Sequence, residues 1–132
     1  MNTHLFRLHP NTSLRESIEA FCSNKTPNGA AMITCVGSLT TARLRMVGGN
    51  AIIEKKGPFE IVSLVGTWTP HGGHWHISLS DGDGNLWGGH LCTGSIVYTT
   101  AEIVIADIGV HHPIRQYDPQ TGYDELFVPH QE

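Results

Sequence analysis

A helix signature occurs once in this chain, near its start, and the roughly hundred residues that follow are written as short strands and turns. Ser13-Leu14-Arg15-Glu16 has the form of a capping box, in which the Ser13 hydroxyl and the Glu16 carboxylate each satisfy an orphan amide. Leu14, Ile18, Phe21 and Cys22 then fall at i, i+4, i+7 and i+8, one apolar stripe on a helix of about two to three turns. Pro27 and Gly29 end it. Residues 30–36 form a continuous apolar run suited to a buried central strand. Residues 41–47 alternate, with Ala42, Leu44 and Met46 on one face and Arg43 and Arg45 on the other. Further strands are expected at 51–55, 59–68 and 102–108. Residues 74–80 and 86–92 flank Asp81-Gly82-Asp83-Gly84-Asn85, a hairpin signal, and Asp118-Pro119-Gln120-Thr121-Gly122 is a turn before a short tail. One helix followed by runs of strands predicts an α+β fold built on a largely antiparallel sheet.

Composition narrows the class. With 132 residues the chain is expected to be a single domain, residues 1–132. An apolar content of 39% excludes disorder. The formal charge of −4 provides no basic excess to hold a polyanion, so direct DNA binding is not expected. Cys22, Cys35 and Cys92 are odd in number and far apart, which suits a reducing cytoplasm and not a disulfide framework. The first ten residues include His4, Arg7, His9 and Pro10 and lack an apolar core, so they do not read as a signal peptide. No segment approaches the run of about 20 apolar residues of a spanning helix, and a soluble cytoplasmic protein is expected.

Nine histidines stand out in a chain this short. In an extended His74-Trp75-His76, both histidines and Ser78 share one face while Trp75, Ile77 and Leu79 take the other. If residues 81–85 form the loop, Ser80 pairs with Leu86, which sets His90 directly opposite His76 and diagonal to His74. Three imidazoles so placed can converge on one cation, with nitrogen about 2.0–2.1 Å from zinc. A two-residue turn would send His90 to the other face. Strand histidines are also commonly half-buried or solvated side chains, and spacing alone leaves both readings open. Three neutral ligands leave a coordination position free, as in catalytic zinc sites; imidazole also suits iron, nickel and copper.

Other residues are weaker candidates. Cys92 shares the face of His90 as a soft fourth ligand, although a buried apolar thiol is the commoner role. His71, in Pro70-His71-Gly72-Gly73, is placed to be a ligand or proton shuttle, with a solvated loop residue as the default. His111 and His112 precede Pro113 on opposite sides of an extended chain and are not expected to chelate together. Asp81, Asp83 and Asn85 imitate a calcium loop, but Leu86 occupies the glycine position and Cys92 the glutamate position, so a plain turn is predicted. Glu60, between Phe59 and Ile61, calls for Arg43 or Arg45 as a partner, a subunit interface, or an acid–base role. The serine-elbow, H-E-x-x-H, phosphate-loop and dinucleotide signatures are all missing.

The stretch Gly57-Pro58-Phe59-Glu60-Ile61-Val62-Ser63-Leu64-Val65-Gly66, with His74-Trp75-His76 and Gly88-Gly89-His90-Leu91, resembles the PPC domain (plant and prokaryote conserved). The likeness runs from Leu14-Arg15-Glu16-Ser17 through Gly37-Ser38-Leu39-Thr40 to Thr99-Thr100-Ala101-Glu102-Ile103 and Asp118-Pro119-Gln120-Thr121-Gly122-Tyr123. It implies a curved antiparallel sheet with one main N-terminal helix, packed as a homotrimer. Plant members carry an AT-hook before the domain, have Arg where Pro58 stands, and lack equivalents of the three histidines; DNA binding is therefore not carried over. Single-domain prokaryotic members keep them. Acetolactate decarboxylase, a more distant fold relative, holds zinc through an H-x-H…H arrangement, an analogy of fold that fixes no reaction. The resemblance thus points to a homotrimer binding a divalent metal, zinc first, through His74, His76 and His90, with room for a small-molecule ligand. The second reading is a metal-dependent lyase or hydrolase acting on a small carbonyl substrate, with Glu60, Arg15 or His71 assisting. The third is a DNA-associated regulator, against which the charge of −4 counts.

Overall fold

The structure is a computed structural model and describes residues 2–129. In chain order it contains β1 (Thr3–Leu8), α1 (Leu14–Lys25), β2 (Ala30–Arg45), β3 (Ile52–Thr69), β4 (Gly72–Ser80), β5 (Leu86–Leu91), β6 (Ile96–Asp107), a 3-10 turn (Gly109–His111), β7 (Ile114–Asp118) and β8 (Tyr123–Phe127). Six strands form an antiparallel sheet in the order β1-β6-β2-β3-β4-β5, and β7 pairs with β8 alone. β6 leaves the edge of β2 at Ile96, and β5 takes that edge over through Leu44↔Leu91 and Arg45↔His90. The extra pairing rolls β2, β3, β4 and β5 into a closed ring. Among the described residues no helix is long and apolar enough to cross a membrane.

The core is one apolar cluster shared by the ring, β6 and α1. Leu39, Leu44, Trp75, Leu79, Leu91, Ile103 and Ile105 are fully buried, and each aliphatic side chain among them contributes roughly 1.5–3 kcal/mol by leaving water. Leu14, Ile18 and Cys22 of α1 join this core, while Phe21 stacks on Phe6 of β1 at 3.8 Å. The predicted stripe is therefore the packed face, with Phe21 partly buried at its edge. The predicted capping box is not formed. Ser13 occupies the N-cap position without a side-chain hydrogen bond. The Glu16 carboxylate instead accepts from the Gly94 amide at 3.2 Å, which anchors the helix start to the β5–β6 connection.

Two predicted strand pairs are each one long strand. Residues 30–36 and 41–47 merge into the 16-residue β2, and 51–55 and 59–68 into the 18-residue β3. The glycines between them mark close approach and not chain breaks. A Cβ on Gly37 would fall on the Thr100 carbonyl, and one on Gly57 would lie 2.6 Å from the Leu39 carbonyl. β1, β7 and β8 were not predicted, and β6 begins at Ile96, ahead of the expected 102. β1 is a half-exposed edge strand, and β7 and β8 are five-residue strands without a buried position, so none carries a buried apolar run. The 118–122 turn is present and joins those two strands. The 81–85 loop is held by Asp81 Oδ1, which accepts from the Asp83 and Asn85 amides at 2.9 Å. Those bonds hold the Asp81 carboxyl below its ordinary pKa.

Candidate metal centre

The β4–β5 register carries the site. Ser80 pairs with Leu86 and His76 with His90, the alignment that a five-residue loop predicts. Trp75, Ile77 and Leu79 point into the core, which obliges His74 and His76 to face outward. The imidazole centroids of His74 and His76 lie 4.8 Å apart, those of His74 and His90 5.9 Å, and those of His76 and His90 5.8 Å. One donor nitrogen from each ring lies within 4.8 Å of the other two, and small side-chain rotations bring such a set around one ion.

His90 is the most constrained of the three. Its Nδ1 is buried and has no hydrogen-bond partner, while its Nε2 accepts from Arg15 Nη1 at 3.2 Å. Either ring nitrogen can serve as the ligand atom, Nδ1 because it is unpartnered and Nε2 by displacing Arg15. An ion on Nδ1 requires the proton on Nε2, which would then be a donor facing a donor. Arg15 Nη1 would in that state retain its 2.7 Å bond to the Leu91 carbonyl. Burial first, then the charges of Arg45 and Arg15, lowers the His90 pKa to about 4. Burial also lowers His74, helped by His76 and Arg115 and opposed by Glu125. Both rings are thus neutral near pH 7, the form that ligates metals.

Helix α1 supports the site from behind. Glu19 accepts a hydrogen bond from Trp75 Nε1 at 3.0 Å, and its Oε2 lies 3.4 Å from Arg15 Nε. The second contact is an ion pair by distance without hydrogen-bond alignment, since Arg15 Nε has no hydrogen-bond partner. One carboxylate thereby touches both the residue between His74 and His76 and the residue against His90.

In front of the histidines lies an open cleft of about 1230 Å³. Arg45, Met46 and Val47 line it, as do Arg115, Tyr123, Asp124 and Glu125 of the β7–β8 hairpin. His71 lines it too, and its Nδ1 accepts from the Arg115 amide at 3.0 Å, tying the β3–β4 turn to the hairpin.

Of the residues singled out from sequence, His74, His76, His90, Arg15 and His71 come together here. Glu60 does not. It sits opposite Ser38 and Ser80, is exposed, and is absent from the cleft walls. Its expected partner Arg43 pairs with Glu54 at 3.5 Å, because the β2–β3 register sets those two side by side. Cys92 does not join the donor group. It is buried just beyond the end of β5, with its Sγ 3.6 Å from the His90 carbonyl. His111 and His112 lie in the 3-10 turn and its cap, outside the cleft. Glu19, Arg115 and the hairpin residues were missed, and Arg45 was noticed only as a partner for Glu60. Its place beside His90 depends on the β2–β5 pairing, of which the alternation in 41–47 gives the face but not the neighbour.

Comparison with known proteins agrees with this architecture. Residues 1–109 match the model of the Plants and Prokaryotes Conserved (PCC) domain. A bifunctional protein GlmU from Synechococcus sp. is 37% identical over 128 residues, which is 97% of this chain and 21% of that protein. The chain therefore spans about a fifth of the length of the curated relatives it matches. A hypothetical protein from Salmonella enterica is 36% identical with a TM-score of 0.92, over 96% of this chain and 91% of its own. A metal-containing protein from Archaeoglobus fulgidus is 25% identical with a TM-score of 0.76, over 96% of this chain and 94% of its own. With strand order, helix placement and most of its length accounted for by these likenesses, the chain belongs to the Plants and Prokaryotes Conserved domain family.

Proposed function

We propose that this domain binds a divalent metal ion, zinc first, through His74, His76 and His90, and admits a small molecule at the metal. The observation that carries the reading is the convergence of one donor nitrogen from each of the three rings within 4.8 Å of one another. The donor set fits: three neutral imidazoles suit zinc and leave a coordination position open toward the cleft. The Archaeoglobus fulgidus relative described as metal-containing lends support. A bound divalent ion would supply Lewis acidity to a polar group of the incoming molecule. The chain's own residues supply the rest: Arg15 and Glu19 hold the back of the site, and His71 stands at its rim.

A homotrimer is part of the same proposal. Its support is a set of apolar side chains left exposed on adjoining strands, Ile33 and Val36 on β2 and Val62 and Val65 on β3, each half exposed or more. Apolar surface grouped on one sheet calls for a partner. Val65 also lines the cleft, so a neighbouring subunit seated there would cover the mouth of the metal centre. Sedimentation that returns a monomer at micromolar concentration would remove this part.

The second reading, a metal-dependent lyase or hydrolase on a small carbonyl substrate, is favoured by the cleft volume and by His71 and Arg15 beside the imidazoles. Metal analysis of protein purified without a polyhistidine tag tests both readings. Stoichiometric metal that is lost in His76→Ala supports them. Metal-free protein that takes up no zinc sinks both. Turnover of carbonyl or ester substrates that ceases on chelation would then select the enzyme.

A further inference from the structure

The arginines of this protein are engaged, with one exception. Arg7 bonds Thr100 Oγ1 and the Thr99 carbonyl. Arg15 is held by Glu19 and the Leu91 carbonyl, Arg43 by Glu54, and Arg115 Nη2 by Thr67 Oγ1. Arg45 is half-buried and has no hydrogen bond or ion pair among the described residues. It stands directly opposite His90 across the β2–β5 pairing, on the cleft wall with Met46 and Val47. Its unpartnered nitrogens are not buried, so the guanidinium is open to the cleft, where an anion can reach it.

We infer that the cleft takes a small organic carboxylate, gripped by Arg45 through the carboxylate and facing the three histidines with its other end. The inference rests on the proposed metal centre for that second contact. A planar guanidinium fork matches a carboxylate in two parallel hydrogen bonds. Val65 and Val47 provide apolar surface for a carbon skeleton, so the site is suited to an organic acid and not to a bare inorganic anion.

The test is calorimetry on zinc-loaded and metal-free protein with pyruvate, 2-oxobutyrate and succinate, set against inorganic phosphate. At least one of these acids is expected to bind the zinc-loaded protein about tenfold tighter than phosphate, and Arg45→Gln to weaken it by about tenfold or more at unchanged zinc content. Arg45→Lys is expected to recover part of the loss, since it keeps the charge but not the fork. Unchanged binding in Arg45→Gln, phosphate as good as any acid, or no acid bound at millimolar concentrations would each overturn the inference. So would an Arg45→Gln protein that loses only its assembly, since the missing counter-charge would then belong to a neighbouring subunit. Both variants are compared by circular dichroism melting, and Arg7→Gln, on β1 outside the cleft, serves as a control for general loss of positive charge. Acid binding that depends on Arg45 in a protein that takes up no zinc would refute the metal reading while leaving the carboxylate site standing.

Discussion

Glu19→Ala is the substitution whose consequences follow most directly from the helix–sheet contact behind the histidines. Trp75 is fully buried, and its indole N–H finds its acceptor in Glu19 Oε2 at 3.0 Å. Removing the carboxylate leaves that buried donor unpaired, at a cost of about 1–3 kcal/mol. The ion pair with Arg15 is a partly exposed i,i+4 contact, with side-chain exposures of 19% and 26% and no hydrogen-bond alignment. It therefore adds only about 0.3–0.5 kcal/mol. The expected total is about 1.3–3.5 kcal/mol. Glu19→Gln retains a carbonyl acceptor and loses the charge, so about 1 kcal/mol is expected there. Urea unfolding of metal-free protein, followed by tryptophan fluorescence and far-UV circular dichroism at one fixed protomer concentration, measures both. A Glu19→Ala protein as stable as the parent, or a Glu19→Gln protein as damaged as Glu19→Ala, would refute the assignment of Glu19 as the indole's buried acceptor.

Leu39 is fully buried at the centre of β2, and Leu39→Ala is expected to cost about 2–5 kcal/mol by the same urea assay. Burial pushes the Cys22 thiol to about 11 and the Cys35 thiol to about 12. At pH 8 both should resist iodoacetamide in the native protein and react on unfolding, as peptide mass spectrometry would report; rapid native labelling would contradict their burial. The His90 pKa is lowered from 6.5 to about 4, so the neutral ring is favoured in the folded state. Its contribution to stability is complete above pH 6.5 and is lost as pH falls toward 4. Metal-free His90→Asn should show a flatter fall in melting temperature over that window than the parent, and an identical fall would remove His90 as a source.

The three histidines were legible because a hairpin is a local object: loop length fixes register, and register fixes which side chains share a face. The alternation of His74, Trp75 and His76 supplied the face, and 81–85 supplied the turn. The helix stripe was legible for the same reason, since four apolar residues at helical spacing need one buried side. What was hidden depends on contacts distant in sequence. Gly37 and Gly57 look like punctuation until the neighbouring carbonyls are in place. Glu16 satisfies the remote Gly94 amide, where local reasoning assigned it to its own helix start. Arg45 meets His90 only once β5 replaces β6 along β2. The β7–β8 hairpin consists of two short strands without a buried position, so it carries no hydrophobic signal.

The central claim is that His74, His76 and His90 hold one divalent ion. Crystals of tag-free protein equilibrated with zinc, measured on both sides of the zinc absorption edge, test it most directly. An anomalous peak is expected between the three imidazoles, within coordination distance of a nitrogen from each, that vanishes in His76→Ala. A zinc-saturated crystal with no peak there, or with the peak held by other residues while the imidazoles remain apart, would contradict it.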